Sequence, residues 1–343
     1  MQRTFLTPAP SLDDASILIT GGTGSFGQAF IRTLLARYRP RRLVIFSRDE
    51  LKQYEMERSI SAEDKQLVRF FIGDVRDGER LELAMREIDY VVHAAALKHV
   101  PTAEYNPFEC VKTNIHGAEN VVMAALRSKV NKIIAMSTDK AASPINLYGA
   151  SKLASDKIFV AANNLSGSQN TRFSVVRYGN VLGSRGSVLP FFQSLIASGA
   201  TTLPITHADM TRFWITLQQG VDFVLSSLAV MSGGEVFVPK IPSMKVADVA
   251  RALAPDLKHE IVGIRPGEKL HETMVTQDDG RLTLELDDRY VIEPALAFWS
   301  NSHLVDRKAK PVSEGFEYSS NLNTEWLDAA SLRDMVKADD IAK

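Results

Sequence analysis

The stretch "ILITGGTGSFG", Ile17 to Gly27, decides how this chain folds. Its first four residues read as a short buried strand. The glycine-rich run leads at once into "QAFIRTLLARY", whose apolar residues fall three and four apart, as on a helix that covers a sheet. Gly22, Gly24 and Gly27 satisfy G-x-G-x-x-G, and Gly21, Gly24 and Gly27 satisfy G-x-x-G-x-x-G. Glycines there allow a tight turn, let backbone N–H groups approach a pyrophosphate, and pack helix on strand. Between a strand and a helix, the run points to a dinucleotide held by Gly21, Thr23, Gly24, Ser25, Phe26 and Gly27.

Working outward, "LVIF" (43–46), "VRFFIG" (68–73), "DYVVHAA" (89–95), "KIIAMST" (132–138) and "FSVVRY" (173–178) alternate with helical patterns such as "ERLELAMREI" and "TNIHGAENVVMAALRS". That rhythm predicts an α/β fold, a Rossmann-type doubly wound parallel sheet. After about Asn180 the pattern loosens, with "LPIT", "FWITL", "EVFVP" and "EIVGI" separated irregularly. The expected organisation is a loose tail over residues 1–14, a nucleotide-binding domain over 15–180 and a smaller C-terminal lobe over 181–343 that binds substrate. Some strands of that lobe are free to return to the main sheet.

With 343 residues, 45% hydrophobic and 24% charged, and a formal net charge of -1, nothing calls for nucleic acid or a membrane surface. A single cysteine, Cys110, excludes an internal disulfide and fits a reducing compartment, where it serves as a small apolar filler. No apolar run has the length of a membrane span and "MQRTFLTPAPSLDDAS" lacks the apolar segment of a signal peptide, so a cytoplasmic protein is expected.

The end of the second strand distinguishes NAD from NADP. It reads "FSRDELK": Ser47 and Arg48 suit a 2′-phosphate with Lys52 nearby, while Asp49 comes one or two residues late but within reach of a ribose. NADP is the expected cofactor. Asp74 and Val75 of "GDVRD" fall where an adenine would lie, and the small Ala94, Ala95 and Ala96 leave room for the cofactor backbone.

Tyr148 and Lys152 of "YGASK" lie four apart and share a helix face. A neighbouring ammonium and an oxidised nicotinamide both favour phenolate, pulling the tyrosine down from its usual pKa near 10 so that it can deprotonate an alcohol. Thr138, at the end of the fifth strand, is placed to hydrogen-bond the same oxygen. Asp139 and Lys140 follow it directly, an acid and an amine that a simple redox site does not need.

This combination resembles the extended short-chain dehydrogenase/reductase family over nearly the whole chain. More closely still it is similar to the inverting UDP-N-acetylglucosamine 4,6-dehydratases that begin pseudaminic acid biosynthesis. The likeness is carried by "TGGTGSFG", "SRDELKQ", "FFIGDVRD", "HAAALKHVPTAEYNP", "STDKAASPINLYGASK", "VRYGNVLGSRGSV", "MTRFWITL", "GGEVFVPKIPSMK" and "IRPGEKLHE". In retaining relatives the threonine is followed by Asp-Glu; here it is followed by Asp139 and Lys140. The resemblance implies that the sugar is oxidised at C4, that Lys140 removes the acidified C5 proton, that Asp139 assists loss of the C6 hydroxyl, and that the tightly held cofactor returns its hydride to C6. Reprotonation on the opposite face then inverts C5. A lysine base must be neutral, and lowering its pKa by about three from 10.4 costs roughly 4 kcal/mol. Desolvation, the nicotinamide charge and Lys152 are sources of that shift; where they fall short, the roles of Asp139 and Lys140 exchange.

For the diphosphate of UDP-N-acetylglucosamine, Arg185, Arg212 and Arg265 are candidate forks. By resemblance Asn180 and Glu268 share that pocket, and Lys98 and His99 lie near the sugar. The histidines, His271 included, show no metal-ligand spacing, so no metal is expected. In this family the helices matching 103–127 and 147–163 form a dimer face, which implies a homo-oligomer, a hexamer in close relatives. Two rivals stand. A UDP-sugar 4-epimerase needs Tyr148 and Lys152 but not Asp139 and Lys140; a non-catalytic NADP-binding sensor could dispense with Tyr148.

Overall fold

The computed structural model describes residues 3–167, 170–184, 186–296 and 308–341. Its frame is a sheet built from β1 (Ser16–Thr20), β2 (Arg42–Ser47), β3 (Val68–Ile72), β4 (Tyr90–His93), β5 (Lys132–Met136) and β6 (Arg172–Val176). These strands form where β-branched and aliphatic residues run together, and β1 is buried along its whole length, as a strand covered on both faces must be. Each lies within about two residues of its expected position.

The remaining strands are β7 (Asn180–Val181), β8 (Thr202–Ile205), β9 (Thr211–Ile215), β10 (Val236–Pro239), β11 (Ser243–Lys245), β12 (Lys258–Ile261), β13 (Thr273–Val275), β14 (Thr283–Glu285), β15 (Arg289–Ile292), β16 (Lys310–Pro311) and β17 (Tyr318–Ser319). Among the described residues the main sheet has ten strands, in the order β16-β14-β15-β10-β6-β5-β4-β1-β2-β3. From β3 to β10 all pairings are parallel, and β15, β14 and β16 close the edge antiparallel. Strands of the second half therefore return to the main sheet. The strand order reverses between β1 and β4, and ligands of such sheets sit in the crevice beyond the strand ends at this switch point.

The other second-half strands form the small sheets β11-β9-β7, β12-β8 and β13-β17. Trp214, Phe192, Leu203, Ile205 and Met244 gather there into a second core, separate from the one around the main sheet. Residues 3–14, expected to be a loose tail, are instead packed down. Phe5 and Leu12 are fully buried, Phe5 meets Phe223 edge-on at 4.9 Å, and Gln219 Nε2 donates to the Arg3 carbonyl at 2.9 Å. The helical span 103–127 is broken into Val100–Tyr105, Pro107–Val111, a π-helical turn Lys112–His116 and Gly117–Arg127. The break falls at Asn106-Pro107, where the proline ring disfavours helical geometry in the residue before it. No helix among the described residues is long and apolar enough to cross a membrane.

Candidate active site

The glycine loop closes tightly on the end of β4. Gly21 has φ +68° and a Cβ there would lie 2.9 Å from the Ala95 nitrogen; a Cβ on Gly27 would lie 2.4 Å from the Gly22 carbonyl oxygen. One glycine thus sets the turn and the other seats the helix Ser25–Arg37 on it. That helix has no side-chain cap at Gly24, so its first N–H groups are free for an anion, and Gly24 itself is exposed. These features fit a dinucleotide pyrophosphate. Thr23 is committed to the frame, its hydroxyl 2.7 Å from that of Ser47, while Phe26 stacks on Phe30. Ala94 and Ala95 are half-buried and Ala96 exposed. Thr20 binds this segment through the Ala95 N–H at 3.2 Å and through His93 Nδ1 at 2.8 Å. Burial, with Lys152 adding to it, pushes His93 down to about 3, so the imidazole is neutral.

At the end of β2, Asp49 caps the next helix by accepting from the Lys52 N–H at 3.0 Å and pairs with the Lys52 ammonium at 2.5 Å. Lys52 is thereby occupied as well. Arg48 projects into solvent, with Asp74 3.5 Å from its guanidinium. Burial raises the Asp74 carboxyl, but hydrogen bonds from Arg76 and the charge of Arg48 outweigh it and hold it below the usual range. Val75 is buried, and its carbonyl accepts from Asn120 Nδ2 at 3.0 Å.

The segment from Thr138 to Lys152 is assembled by one contact that the sequence does not advertise. A Cβ on Gly149 would lie 2.2 Å from the Lys140 carbonyl oxygen, so only glycine lets the helix Leu147–Ala162 press against the 3₁₀ turn Asp139–Ala141. Tyr148 is thereby brought beside Thr138, which favours its phenolate, and within the field of Lys140. Thr138 Oγ1 donates to Asp139 Oδ1 at 2.9 Å, and Lys140 Nζ donates to the same oxygen at 3.0 Å. Asp139 is 1% exposed, its backbone N–H donates to the Tyr178 carbonyl, and its Oδ2 has no hydrogen-bond partner among the described residues.

The charge state of Lys140 corrects the sequence reading. Burial alone lowers its pKa, but Asp139 and Glu272, the latter with Oε1 3.2 Å from Nζ, raise it well above the ordinary lysine value. The residue rests as an ammonium. Burial pushes the Tyr148 phenol up to about 12, against the pull of Lys140 and the Thr138 hydrogen bond, so phenolate is not favoured in the protein alone. Lys152 is 3% exposed and lowered by burial, with Asp156 opposing. Asp156, two helical turns beyond Tyr148, accepts from Ser137 at 2.8 Å and pairs with Arg177 at 3.4 Å.

Among the substrate candidates, Arg212 is 7% exposed and spends its donors on the protein. It bonds the carbonyls of Thr211 at 2.7 Å, Lys269 at 2.9 Å and Leu270 at 3.2 Å, and faces Glu272 at 3.7 Å. A diphosphate grip, as read from the sequence, requires those bonds to open. Arg265 is exposed, with Glu268 4.0 Å away, and their loop is tied to the catalytic helix by Asn146 Nδ2 donating to the Gly267 carbonyl at 2.7 Å. Asn180 pairs with Trp214 two residues beyond Tyr178; Lys98 and His99 are exposed, His99 against Gly186. Arg185 lies outside the described residues. The described residues contain no cluster of metal-binding side chains.

Sequence reasoning missed three participants. Glu272 ends the quoted "IRPGEKLHE" but waits on a fold that carries β13 to the 3₁₀ turn. Asn114, in the π-helical turn, bonds Leu97 through both N–H and carbonyl and Ser151 at 2.9 Å, fixing the loop after β4 to the catalytic helix. Asp156 was visible only as the fourth residue past Lys152.

Oxidising a secondary alcohol needs a dinucleotide beside a tyrosine that can take a proton, and the chain carries a glycine loop that fits the first after β1 and a buried tyrosine beside Thr138 after β5. Fold and site together define an extended short-chain dehydrogenase/reductase. The chain belongs to the polysaccharide biosynthesis protein family, which it matches over residues 17–294. It is 56% identical, over 94% of its length and 97% of the relative's, to a UDP-N-acetylglucosamine 4,6-dehydratase (inverting) of Campylobacter jejuni. It is 42% identical to a UDP-glucose 4-epimerase of Rickettsia conorii over 81% of this chain and 83% of that one. The solved structure of Pen from Bacillus thuringiensis superposes with a TM-score of 0.87 at 35% identity, covering 96% of this chain and 99% of the other.

Proposed function

We propose that this protein is a UDP-N-acetylglucosamine 4,6-dehydratase that inverts C5. The observation that carries the reading is the buried run Thr138, Asp139, Lys140 beside Tyr148, which gives a redox site two further proton-handling groups. An epimerase has no use for them. The 56% identical relative supports the same choice over the more distant epimerase.

NADP fits the exposed guanidinium of Arg48 and an Asp49 already occupied as a helix cap. When bound it would take the hydride from C4 and return it to C6. Tyr148, assisted by Thr138, removes the C4 hydroxyl proton; the positive nicotinamide and Lys152 favour the phenolate that burial opposes. The charge states favour the exchanged roles for the next step. Asp139, with an unpartnered oxygen, takes the C5 proton, and the Lys140 ammonium protonates the departing C6 hydroxyl. Arg265, Glu268, Asn180, Lys98 and Arg185 bind the nucleotide sugar, joined by Arg212 once it swings free, and the second core supports that lobe. The enzyme works in the cytoplasm as a homo-oligomer and feeds a nonulosonic acid pathway for flagellin or surface glycans.

Incubation with UDP-N-acetylglucosamine and mass spectrometry tests the activity: a product lighter by one water supports it, and an isomer of unchanged mass contradicts it. The roles separate in the variants. Asp139→Asn should abolish both C5 exchange with solvent and loss of water, while Lys140→Ala should allow C5 exchange and stall water loss. The reverse pattern would restore Lys140 as the base.

A further inference from the structure

Lys140 lies between two carboxylates, not one. Asp139 Oδ1 is 3.0 Å from its Nζ and Glu272 Oε1 is 3.2 Å away on the other side. Glu272 is 1% exposed, and its Oε2, 4.0 Å from the Lys269 ammonium, has no hydrogen-bond partner among the described residues. Its backbone is locked in place: the Glu272 N–H donates to Ser320 Oγ at 3.0 Å and the Ser320 N–H donates to the Glu272 carbonyl at 2.8 Å. A carboxylate buried, fixed and half-satisfied at this position is costly unless the site uses it.

The reaction proposed above shows the use, and the inference rests on that reading. Substrate gives the enzyme two protons, from the C4 hydroxyl to Tyr148 and from C5 to Asp139. It takes two back, one leaving with the C6 oxygen as water and one adding to C5 from the opposite face. Lys140 supplies the first of these. Asp139 can reload it directly: Asp139 Oδ1 holds Lys140 and accepts from Thr138, which lies beside Tyr148. Once Asp139 carries the C5 proton it is neutral and no longer supports the ammonium, while Arg212 and Lys269 repel it. Glu272 is then the anion that remains.

We infer that Glu272 is a positioning residue that keeps Lys140 protonated and aimed after Asp139 has been neutralised, and so governs departure of the C6 hydroxyl as water.

The test compares Glu272→Gln and Glu272→Asp with the wild-type holoenzyme. In Glu272→Gln, transient reduction of the cofactor on adding UDP-N-acetylglucosamine should proceed near the wild-type rate, while formation of the 4-keto-6-deoxy product falls by about 100-fold, the scale of one lost proton-transfer partner. The 4-keto sugar that still carries its C6 hydroxyl should build up and exchange its C5 hydrogen with solvent, detected by NMR in heavy water. Glu272→Asp should recover part of the loss. Carbon-13 NMR of reductively methylated holoenzyme should show the Lys140 signal titrating at lower pH in Glu272→Gln, a reading that needs no turnover. Equal slowing of oxidation and product formation, or product formed at the wild-type rate with no build-up of the 4-keto sugar, would overturn the inference, as would an unmoved Lys140 titration if neither variant turned over. If wild-type enzyme loses no water from the substrate, it is the activity assignment that fails instead.

Discussion

At the cofactor end of the cleft the turn is made by neighbours in sequence: Gly21 to Gly27 turn the chain and seat one helix, against the ends of β2 and β4 at Ile45, Ser47 and Ala95. At the proton-handling end the turn Asp139–Ala141 is local, but the groups that fix its charge come from elsewhere, Glu272, Lys269 and Arg212 from the second half and Tyr148 from the next helix. The first end offers backbone shape. The second sets protonation states, which depend on the sum of several buried charges, and one changed carboxylate there alters what the lysine can do.

The largest effect tests that contrast at its meeting point. Tyr148→Phe should lower turnover by about 10⁴-fold, the upper range for a lost acid–base group, while nucleotide binding measured by fluorescence titration stays intact. If binding were lost too, the two ends would not be separable.

Gly149→Ala comes next. Its added methyl group would push against the Lys140 carbonyl at 2.2 Å and displace the turn from the tyrosine. Steady-state kinetics should show a drop of about 100-fold in kcat, the cost of misplacing a catalytic group by roughly an ångström.

A smaller effect concerns acid stability. His93 titrates at about 3 in the folded protein against 6.5 unfolded, so between these values the unfolded chain binds more protons and stability falls as pH drops below 6.5. At pH 5 this residue should cost roughly 2 kcal/mol relative to neutral pH, and above 6.5 nothing. Urea melts of wild type and His93→Asn at pH 7 and 5 should differ in that slope.

The smallest effect is at the cofactor end. Arg48→Ala should reduce the preference for NADP over NAD by about tenfold, the scale of one charge-assisted hydrogen bond, in competitive binding measurements. An unchanged preference would leave the 2′-phosphate without its partner.

How much of this could be read from the chain follows the same division. The strands, the glycine loop and the run from Thr138 to Lys152 were legible because each is a pattern of near neighbours. Gly149 was quoted inside "YGASK", but its need for a missing Cβ appears only when the Lys140 carbonyl lies against it. Glu272 and Asp156 drew no reading from the sequence, since their burial depends on segments meeting far along the chain. Arg212 was read as a phosphate fork, yet without ligand it satisfies buried carbonyls of its own loop, an accounting that no spacing rule reveals. The segment before β1 looked loose because Phe5 and Leu12 are isolated apolar residues whose partners, Phe223 among them, lie in the second half.

The central claim is that Asp139 and Lys140 turn a redox fold into one that eliminates water. The most direct measurement is proton NMR of the product formed from UDP-N-acetylglucosamine in heavy water. The predicted result is a 4-keto-6-deoxy sugar carrying solvent deuterium at C5 with that centre inverted. A C4 epimer that retains its hydroxyl at C6 and its original hydrogen at C5 would contradict it.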